Sequence, residues 1–514
     1  MGATENPQNK SRLLLAAILG AGLGFLGSSI VNVALPTFQT ELSADATDIQ
    51  WIVSAFNLAL AGLLLNAGAI SDRCGHLVTF RLGLITYGCA SIVCAMAWTA
   101  EVLIVGRALQ GLGSALLIPS SLGLVNTAHA AHERGRAVGL WSSYSAVVGG
   151  TAPLIAGVLL AITSWRYLFW INVPIAIVVW RLLDSSNIQV PEVRPAKVFD
   201  WFGACFSVLA LGFLTFAAIE SSTLGLRNPI VLLSLGSGLA AGYLFIRSQG
   251  RSAHPLMPLD MFHSRNFSAA NIVTFLAYSS MGGGFYVMML TWIQIQGYSP
   301  LAAGAITLPF MLFTAGLAHP IANLVRRIGP RLPLATGVLL LGLGFMSFSF
   351  AEVGTNFWTG YLPGILLSAL GIALIVAPLT TVIMGSVDVS QSGTASGINS
   401  AVARTAILLS VGILGAIHIA QFESTASNAL VELNLDAALE VHMHAELINM
   451  AAANIPHDIE PELQNAIHTV IVDSFMHAAL VVTRIAGALS ILGALIAFLA
   501  IGRLPREETT EPLD

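Results

Sequence analysis

Apolar runs of about 20 residues recur along the whole chain, parted by short polar stretches, and helix of that length crosses roughly 30 Å of hydrocarbon. Fourteen can be traced: Leu13 to Pro36, Trp51 to Ile70, Val78 to Trp98, Leu103 to Val125, Val138 to Ile162, Arg166 to Leu183, Trp201 to Ala218, Pro229 to Ile246, Phe267 to Ile293, Leu301 to Val325, Leu332 to Phe350, Phe357 to Met384, Ile398 to Ile419 and Ser474 to Ile501. The pattern predicts an all-α integral membrane protein. Composition agrees, with 55% of the 514 residues hydrophobic and 10% charged, against about 25% charged in soluble domains. Mean hydropathy is +0.79, more apolar surface than a water-soluble fold can hide.

Lysine and arginine orient the spans, because short cytoplasmic loops retain them. Lys10, Arg12, Arg73, Arg81, Arg134, Arg136, Arg181, Arg194, Lys197, Arg247, Arg251, Arg265, Arg326, Arg327, Arg331, Arg503 and Arg506 all fall on one side. The opposite side is acidic: Glu41, Asp45 and Asp48 lie in its first loop, and Gln421 to Val472 holds eight carboxylates with no Lys or Arg. Arg166 and Arg227 are the exceptions. A multi-pass protein of a bacterial cytoplasmic (inner) membrane, both termini cytoplasmic, is expected. The first span outruns the apolar core of a signal peptide, about 7 to 15 residues, and is expected to stay. Cys74, Cys89, Cys94 and Cys205 lie in spans or at the basic edge, so no outer disulfide framework is available. The net charge of -5 comes mostly from acidic outer loops and the tail, and implies no nucleic-acid partner.

The two halves repeat weakly. Ser71-Asp72-Arg73-Cys74-Gly75 resembles Val325-Arg326-Arg327-Ile328-Gly329, and Leu112-Gly113 through Pro119 resembles Leu370-Gly371 through Pro378. Both offsets are close to 255 residues, as in a parallel repeat of two helix bundles. Two spans are left over. The division expected is an N-terminal six-helix bundle at 1–184, linkers with an inserted transmembrane hairpin at 185–266, and a C-terminal six-helix bundle at 267–514 with a long outer loop near 421–472.

Several motifs then carry a family resemblance: Ile30-Val-Asn32-Val-Ala-Leu-Pro36, Gly68-Ala-Ile-Ser-Asp72-Arg73-Cys-Gly75-His76, Arg107 with Gln110-Gly111-Leu-Gly113, Gly149-Gly150-Thr-Ala152-Pro153-Leu-Ile-Ala156-Gly157, and Ser164-Trp165-Arg166 through Pro174. Gln296-Gly-Tyr-Ser-Pro300 and Ser392-Gly-Thr-Ala-Ser-Gly397-Ile-Asn399 through Arg404 continue it. The chain resembles the major facilitator superfamily, specifically its fourteen-span drug:proton antiporter branch, the EmrB/QacA-like transporters. The resemblance implies efflux of lipophilic small molecules, drugs or toxic compounds, by alternating access coupled to proton antiport. The alternative is a proton-coupled carrier of a specific anion or metabolite.

Each motif has a physical reading. A charged group at mid-helix costs at least about 2.5 kcal/mol and therefore faces a bundle interior or a wet cavity; Arg107 has Gln110 at i+3 and Asn57 and Asn66 on a neighbouring span for company. The resemblance gives Arg107 a part in proton-linked switching. Asp72, Arg73 and Gly75 form a charged turn suited to latching one conformation, with His76 where the family has a stronger base. Gly149, Gly150, Pro153 and Gly157 allow close approach and bending, which the resemblance makes a hinge; Ala152 and Ala156 stand where the family has glycine. Asn32, Asn57, Gln110, Gln294, Asn399 and Arg404 are the expected cavity residues. Asn271, Tyr278, Phe285, Tyr286, Trp292 and Gln296 are weaker candidates.

One departure limits the chemistry. Many members of the branch place an aspartate nine residues before the proline of the Val-Ala-Leu-Pro ending, and here that position is Gly27. Without that acid a permanent cation lacks its counter-ion, so a neutral, zwitterionic or anionic substrate is expected, with coupling through peripheral carboxylates, His319, His418 or Asp72. The histidines of the outer segment, His442, His444, His457 and His468, are too sparsely spaced to compel a metal site, and an acidic amphipathic cap is the expected reading there. Neither metal nor cofactor is expected. No cluster of His, Asp or Cys suggests an intramembrane enzyme, and no polar stripe a channel. Expected partners are the lipophilic substrate, protons and membrane lipids, plus a periplasmic adaptor and outer-membrane channel if the host has an outer membrane; the chain is expected to be a monomer.

Overall fold

The computed structural model describes residues 7–186, 200–252, 255–388 and 391–502. Arg194, Lys197, Arg503, Arg506 and the acidic tail lie outside these, as does the His319 side chain. Among the described residues fourteen helices are long and apolar enough to cross a membrane, one for each apolar run.

The first bundle comprises α1 (Pro7–Ser29), the short α2 (Leu35–Leu42), α3 (Ala46–Cys74), α4 (His76–Ala95), α5 (Ala100–Ala128), α6 (Ala131–Ile162), α7 (Tyr167–Trp170) and α8 (Asn172–Ser185). Two acids of the first loop act locally, since Asp45 accepts the Asp48 N–H and Asp48 accepts the Asp45 N–H, a capping box that starts α3. Arg166, an exception to the charge rule, is held by Glu41 at 3.6 Å and by the Ala97 carbonyl. The second bundle comprises α11 (Arg265–Leu290), α12 (Pro300–Ala305), α13 (Leu308–Ile328), α14 (Arg331–Phe348), α15 (Leu362–Met384), α16 (Ser392–Glu432), α17 (Ala437–Glu446) and α18 (Pro461–Ala500). The outer segment is therefore mostly helix: at 41 and 40 residues α16 and α18 are longer than a bilayer crossing needs, and Met443, Leu447 and Met450 are buried in the core beside them.

Packing bears out the repeat. In the first bundle α5 packs between α3 and α4; in the second α15 packs between α13 and α14. Gly75 closes α3 at φ 92° and Gly329 closes α13 at φ 83°, a region where glycine alone is unstrained. The close approach of Gly83 to Gly113 recurs as Gly337 against Gly371.

The additional hairpin is α9 (Trp201–Leu224) and α10 (Pro229–Gln249), turning at Gly225 with φ 82°. It bridges the bundles through α9, which lies against both α3 and α16. Gly62 faces Val208, Gly412 faces Ala218, and Trp51 Nε1 donates to Glu220 at 2.9 Å.

The bundles meet along a graded seam. Where α6 crosses α12, a Cβ on Gly157 would lie 2.6 Å from the Pro300 carbonyl oxygen, and one on Gly304 would lie 2.3 Å from that of Pro153. Two turns nearer the basic side, a Cβ on Gly150 would be 3.6 Å from Met311. The α3/α16 pair grades the same way, from 2.8 Å between Gly415 and Gln50 to 4.0 Å between Gly397 and Leu65. Both contacts, α6 against α12 and then α13, and α3 against α16, are tight at the acidic side and loosen toward the basic one.

Candidate transport site

Arg107 is fully buried, and inside the first bundle rather than between the two. Its Nε donates to the Ile52 carbonyl at 3.2 Å, Nη1 donates to Gln110 Oε1 at 2.9 Å, and the guanidinium lies 4.3 Å over the Phe56 ring. Gln110 passes the chain on to Ser91, and Ser91 to the Tyr87 carbonyl. Nη2 has no partner among the described residues. The two asparagines expected beside it turn back on their own helix, Asn57 to the Val53 carbonyl and Asn66 to that of Gly62. Cation–π contact and carbonyls, with no carboxylate, hold this charge.

The structure explains Gly27. A Cβ there would lie 2.5 Å from the Tyr87 hydroxyl and 3.1 Å from Phe56. Tyr87 donates to the Leu23 carbonyl and fills the space, so an aspartate would displace the aromatic pair beneath Arg107. Sequence reasoning missed Phe56, Tyr87 and Ser91; the i, i+4 spacing of Tyr87 and Ser91 on the span beside Arg107 was the available signal.

The other expected site residues lie on α16, on α6 and in the turns after α1 and α11. Arg404 is half-buried, with its guanidinium 5.1 Å over the Phe25 ring of α1. No acid pairs with it among the described residues. Asn399 donates to Thr274 at 2.7 Å and to Asn271 at 3.3 Å. Gly149 abuts Phe25, Gly150 faces Met311, and Pro153 and Gly157 form the tight part of the seam, where Ala152 and Ala156 are also fully buried. Gln294 Nε2 donates to Gln39 Oε1 of the other bundle at 2.5 Å. Asn32 sits in the 3₁₀ turn after α1, its buried Oδ1 without a hydrogen-bond partner among the described residues.

Asp72 and Arg73 are exposed beside Gly75, and Asp72 has no ion pair among the described residues. His76 instead hydrogen-bonds Ser71 at 2.8 Å and lies against Gly123. Most of the aromatic candidates are core: Phe285 packs on Phe310 and Phe345, and Trp292 on Phe348 and Tyr361. Among the described residues no three His, Cys, Asp or Glu gather as metal ligands.

The Major Facilitator Superfamily model matches residues 17–411. The chain belongs to this superfamily. It is 30% identical over 444 residues to the multidrug resistance protein Stp of Mycobacterium tuberculosis, covering 86% of this chain and 82% of that one. It is 29% identical to the tetracenomycin C resistance and export protein of Streptomyces glaucescens, covering 97% and 93%. A bacterial homologue of the human lysosomal transporter Spinster shares the fold, with TM-score 0.62 at 17% identity over 96% of this chain and 97% of that one. This member of the superfamily is therefore a multi-pass transporter, with fourteen apolar helices among its described residues. Its central interface offers one half-buried arginine, amides and aromatic rings, and its first-bundle arginine is locked away from that space.

Proposed function

We propose that the chain exports lipophilic small molecules by alternating access, with protons moving inward in exchange. The graded seam carries this reading: two helix pairs close against each other at one membrane face and relax toward the other, as a carrier open to a single side requires. Relatives named for multidrug resistance and for tetracenomycin C export support drug-like substrates. The basic face is cytoplasmic in this reading, with both termini on it and the bilayer a bacterial inner membrane. The working units are 1–184 and 267–514, with 185–266 as an inserted connector. Arg107 acts from within the first bundle on switching, the Asp72–Gly75 turn latches the opposite conformation, and Gly149 to Gly157 is the hinge. The chain acts as a monomer, joined by an adaptor and outer-membrane channel where the host has an outer membrane.

Arg404 gives the substrate its charge preference. A guanidinium at mid-membrane without a carboxylate repels permanent cations and suits neutral, zwitterionic or anionic molecules, with Phe25 as a stacking surface. The same residue favours the second reading, a carrier of one specific anion, in which a single anion would saturate transport and exclude the others. Proteoliposomes under an imposed pH gradient, offered matched cationic, neutral and anionic dyes, test both readings. Gradient-driven accumulation of neutral and anionic dyes is expected; no gradient dependence for any dye removes the antiport assignment.

A further inference from the structure

At the tight end of the seam lies a small cavity lined from both bundles by Gln39, Gln50, Tyr286, Gln294, His418 and Phe475. It has room for about one water. His418 is 1% exposed and Gln50 is fully buried. Among the described residues His418 Nε2 and both amide atoms of Gln50 have no hydrogen-bond partner. Three buried, unpartnered polar atoms beside a water-sized space call for an occupant that both gives and takes hydrogen bonds. The chamber is also divided by the moving interface, since Gln50 on α3 lies against Gly415 on α16 and the Gln39–Gln294 bond spans the gap.

We infer that His418 binds the coupling proton in this chamber, an assignment that rests on the antiport reading above. With the seam open, Nε2 takes a proton from water at the acidic face and its N–H bond forms. With the seam shut, no acid accompanies the imidazolium. From α2, α3, α11 and the turn after it, the lining side chains are amides, aliphatic groups and the neutral Tyr286. From α18 the ring meets Phe475 edge-on at 4.6 Å, while Asp473 and His477 are exposed, as is Glu423 on α16 itself. Asp45 and Asp48 are engaged in the α3 cap, Glu220 of α9 holds Trp51, and His444 of α17 meets Ser427. A closed chamber without a counter-ion disfavours the charged ring, so the N–H bond breaks and the proton passes to the chamber's water and from it toward the loosened basic end of the seam. Proton loading and seam closure are thereby linked.

Full-length protein in liposomes tests this with two readouts: dye exchange at equal pH on both sides, and dye accumulation driven by a pH gradient. His418→Gln is expected to lose gradient-driven accumulation at least tenfold, a larger loss than it shows in dye exchange at equal pH. Gln50→Glu, which places a carboxylate beside the ring, is expected to move the half-maximal pH of wild-type-like transport upward by about one unit. If the wild type ignores the gradient, the antiport reading itself fails, and this assignment with it. If the wild type responds and His418→Gln still accumulates dye, the assignment alone is overturned. Should His418→Gln not fold, an unmoved pH midpoint in Gln50→Glu overturns it equally.

Discussion

The two bundles are built from the same helix trio, yet one encloses a polar knot and the other an aromatic cluster. Gly75 and Gly329 lie 254 positions apart, and at that spacing Phe56 and Ser91 correspond to Phe310 and Phe345; Gly113 and Gly371 lie 258 apart, and there Arg107 and Gln110 correspond to Ile365 and Ser368. In the first bundle these positions hold a guanidinium, an amide and a hydroxyl in one hydrogen-bonded chain. In the second, Phe285, Phe310, Phe345 and Phe348 pack with ring centroids 4.9 to 5.9 Å apart. One scaffold thus accepts either filling. The apolar filling needs no partner, whereas each member of the polar one depends on its neighbours for hydrogen bonds.

Exchanging the fillings should have the largest effect. Ile365→Arg would put a guanidinium at a fully buried core position, with Ser368 in place of Gln110 at i+3, costing at least about 2.5 kcal/mol, and is expected to abolish accumulation in the membrane. Arg107→Ala is expected to fold, because the bundle keeps its other contacts, but to lose tenfold or more of gradient-driven transport. Arg107→Lys should not rescue it, since one ammonium cannot reproduce the forked geometry toward Ile52 and Gln110. Western blotting and proteoliposome uptake separate loss of protein from loss of function. Wild-type uptake by Arg107→Ala would reduce the knot to a structural filling.

Next in size is Gly27→Asp, which asks whether the first bundle can accept the acid its branch often carries. The new Cβ would meet the Tyr87 hydroxyl, so Gly27→Asp alone is expected to lower the yield of folded protein severalfold, and adding Tyr87→Phe should recover part of it. Size-exclusion profiles in detergent report this. Equal yields for the two would mean that Tyr87 does not occupy the acid's place.

The seam gives a graded test of the same contrast between closely and loosely packed positions. Gly157→Val meets the Pro300 carbonyl and should hinder closure at the acidic face, leaving substrate exchange slowed by about tenfold. Gly150→Ala, with 3.6 Å to spare, should stay within about twofold of wild type. Accessibility of single cysteines to an impermeant thiol reagent would follow the shift directly; identical labelling of both variants would contradict the gradient.

What was legible in the sequence follows from which forces act locally. Span number and alternation are set by continuous apolar length and by where lysine and arginine are retained, so every spanning helix was legible, and so was the paired Gly75 and Gly329 turn. Arg107 stood out because a charge in an apolar run is rare, but its neighbours Phe56 and Tyr87 did not, since an aromatic in a membrane helix looks alike whether it faces lipid, core or a guanidinium. Gln50 and His418 belong to spans more than 360 positions apart, and only the closed seam brings them together. The outer segment reads as loop because its carboxylates hide a sparse apolar face at Met443, Leu447 and Met450.

The smallest effect expected is also the most direct check that the bundles are repeats. Gly75 and Gly329 each end a helix with φ near +90° and extended ψ, and a Cβ there costs roughly 1 to 3 kcal/mol of strain. Gly329 has nothing within 4 Å of the position a Cβ would take, so its penalty is conformational alone. Gly329→Ala is therefore expected to lower the thermal midpoint in detergent by a few degrees without touching transport. Gly75→Ala carries the same strain but also moves the turn that bears Asp72 and Arg73, so it should lower the midpoint by a similar amount and reduce transport as well. Equal midpoints with unequal transport would place the switching role in the first bundle's loop. Equal transport would leave the two turns as matched structural corners, and the difference between the bundles would then reside in the Arg107 knot alone.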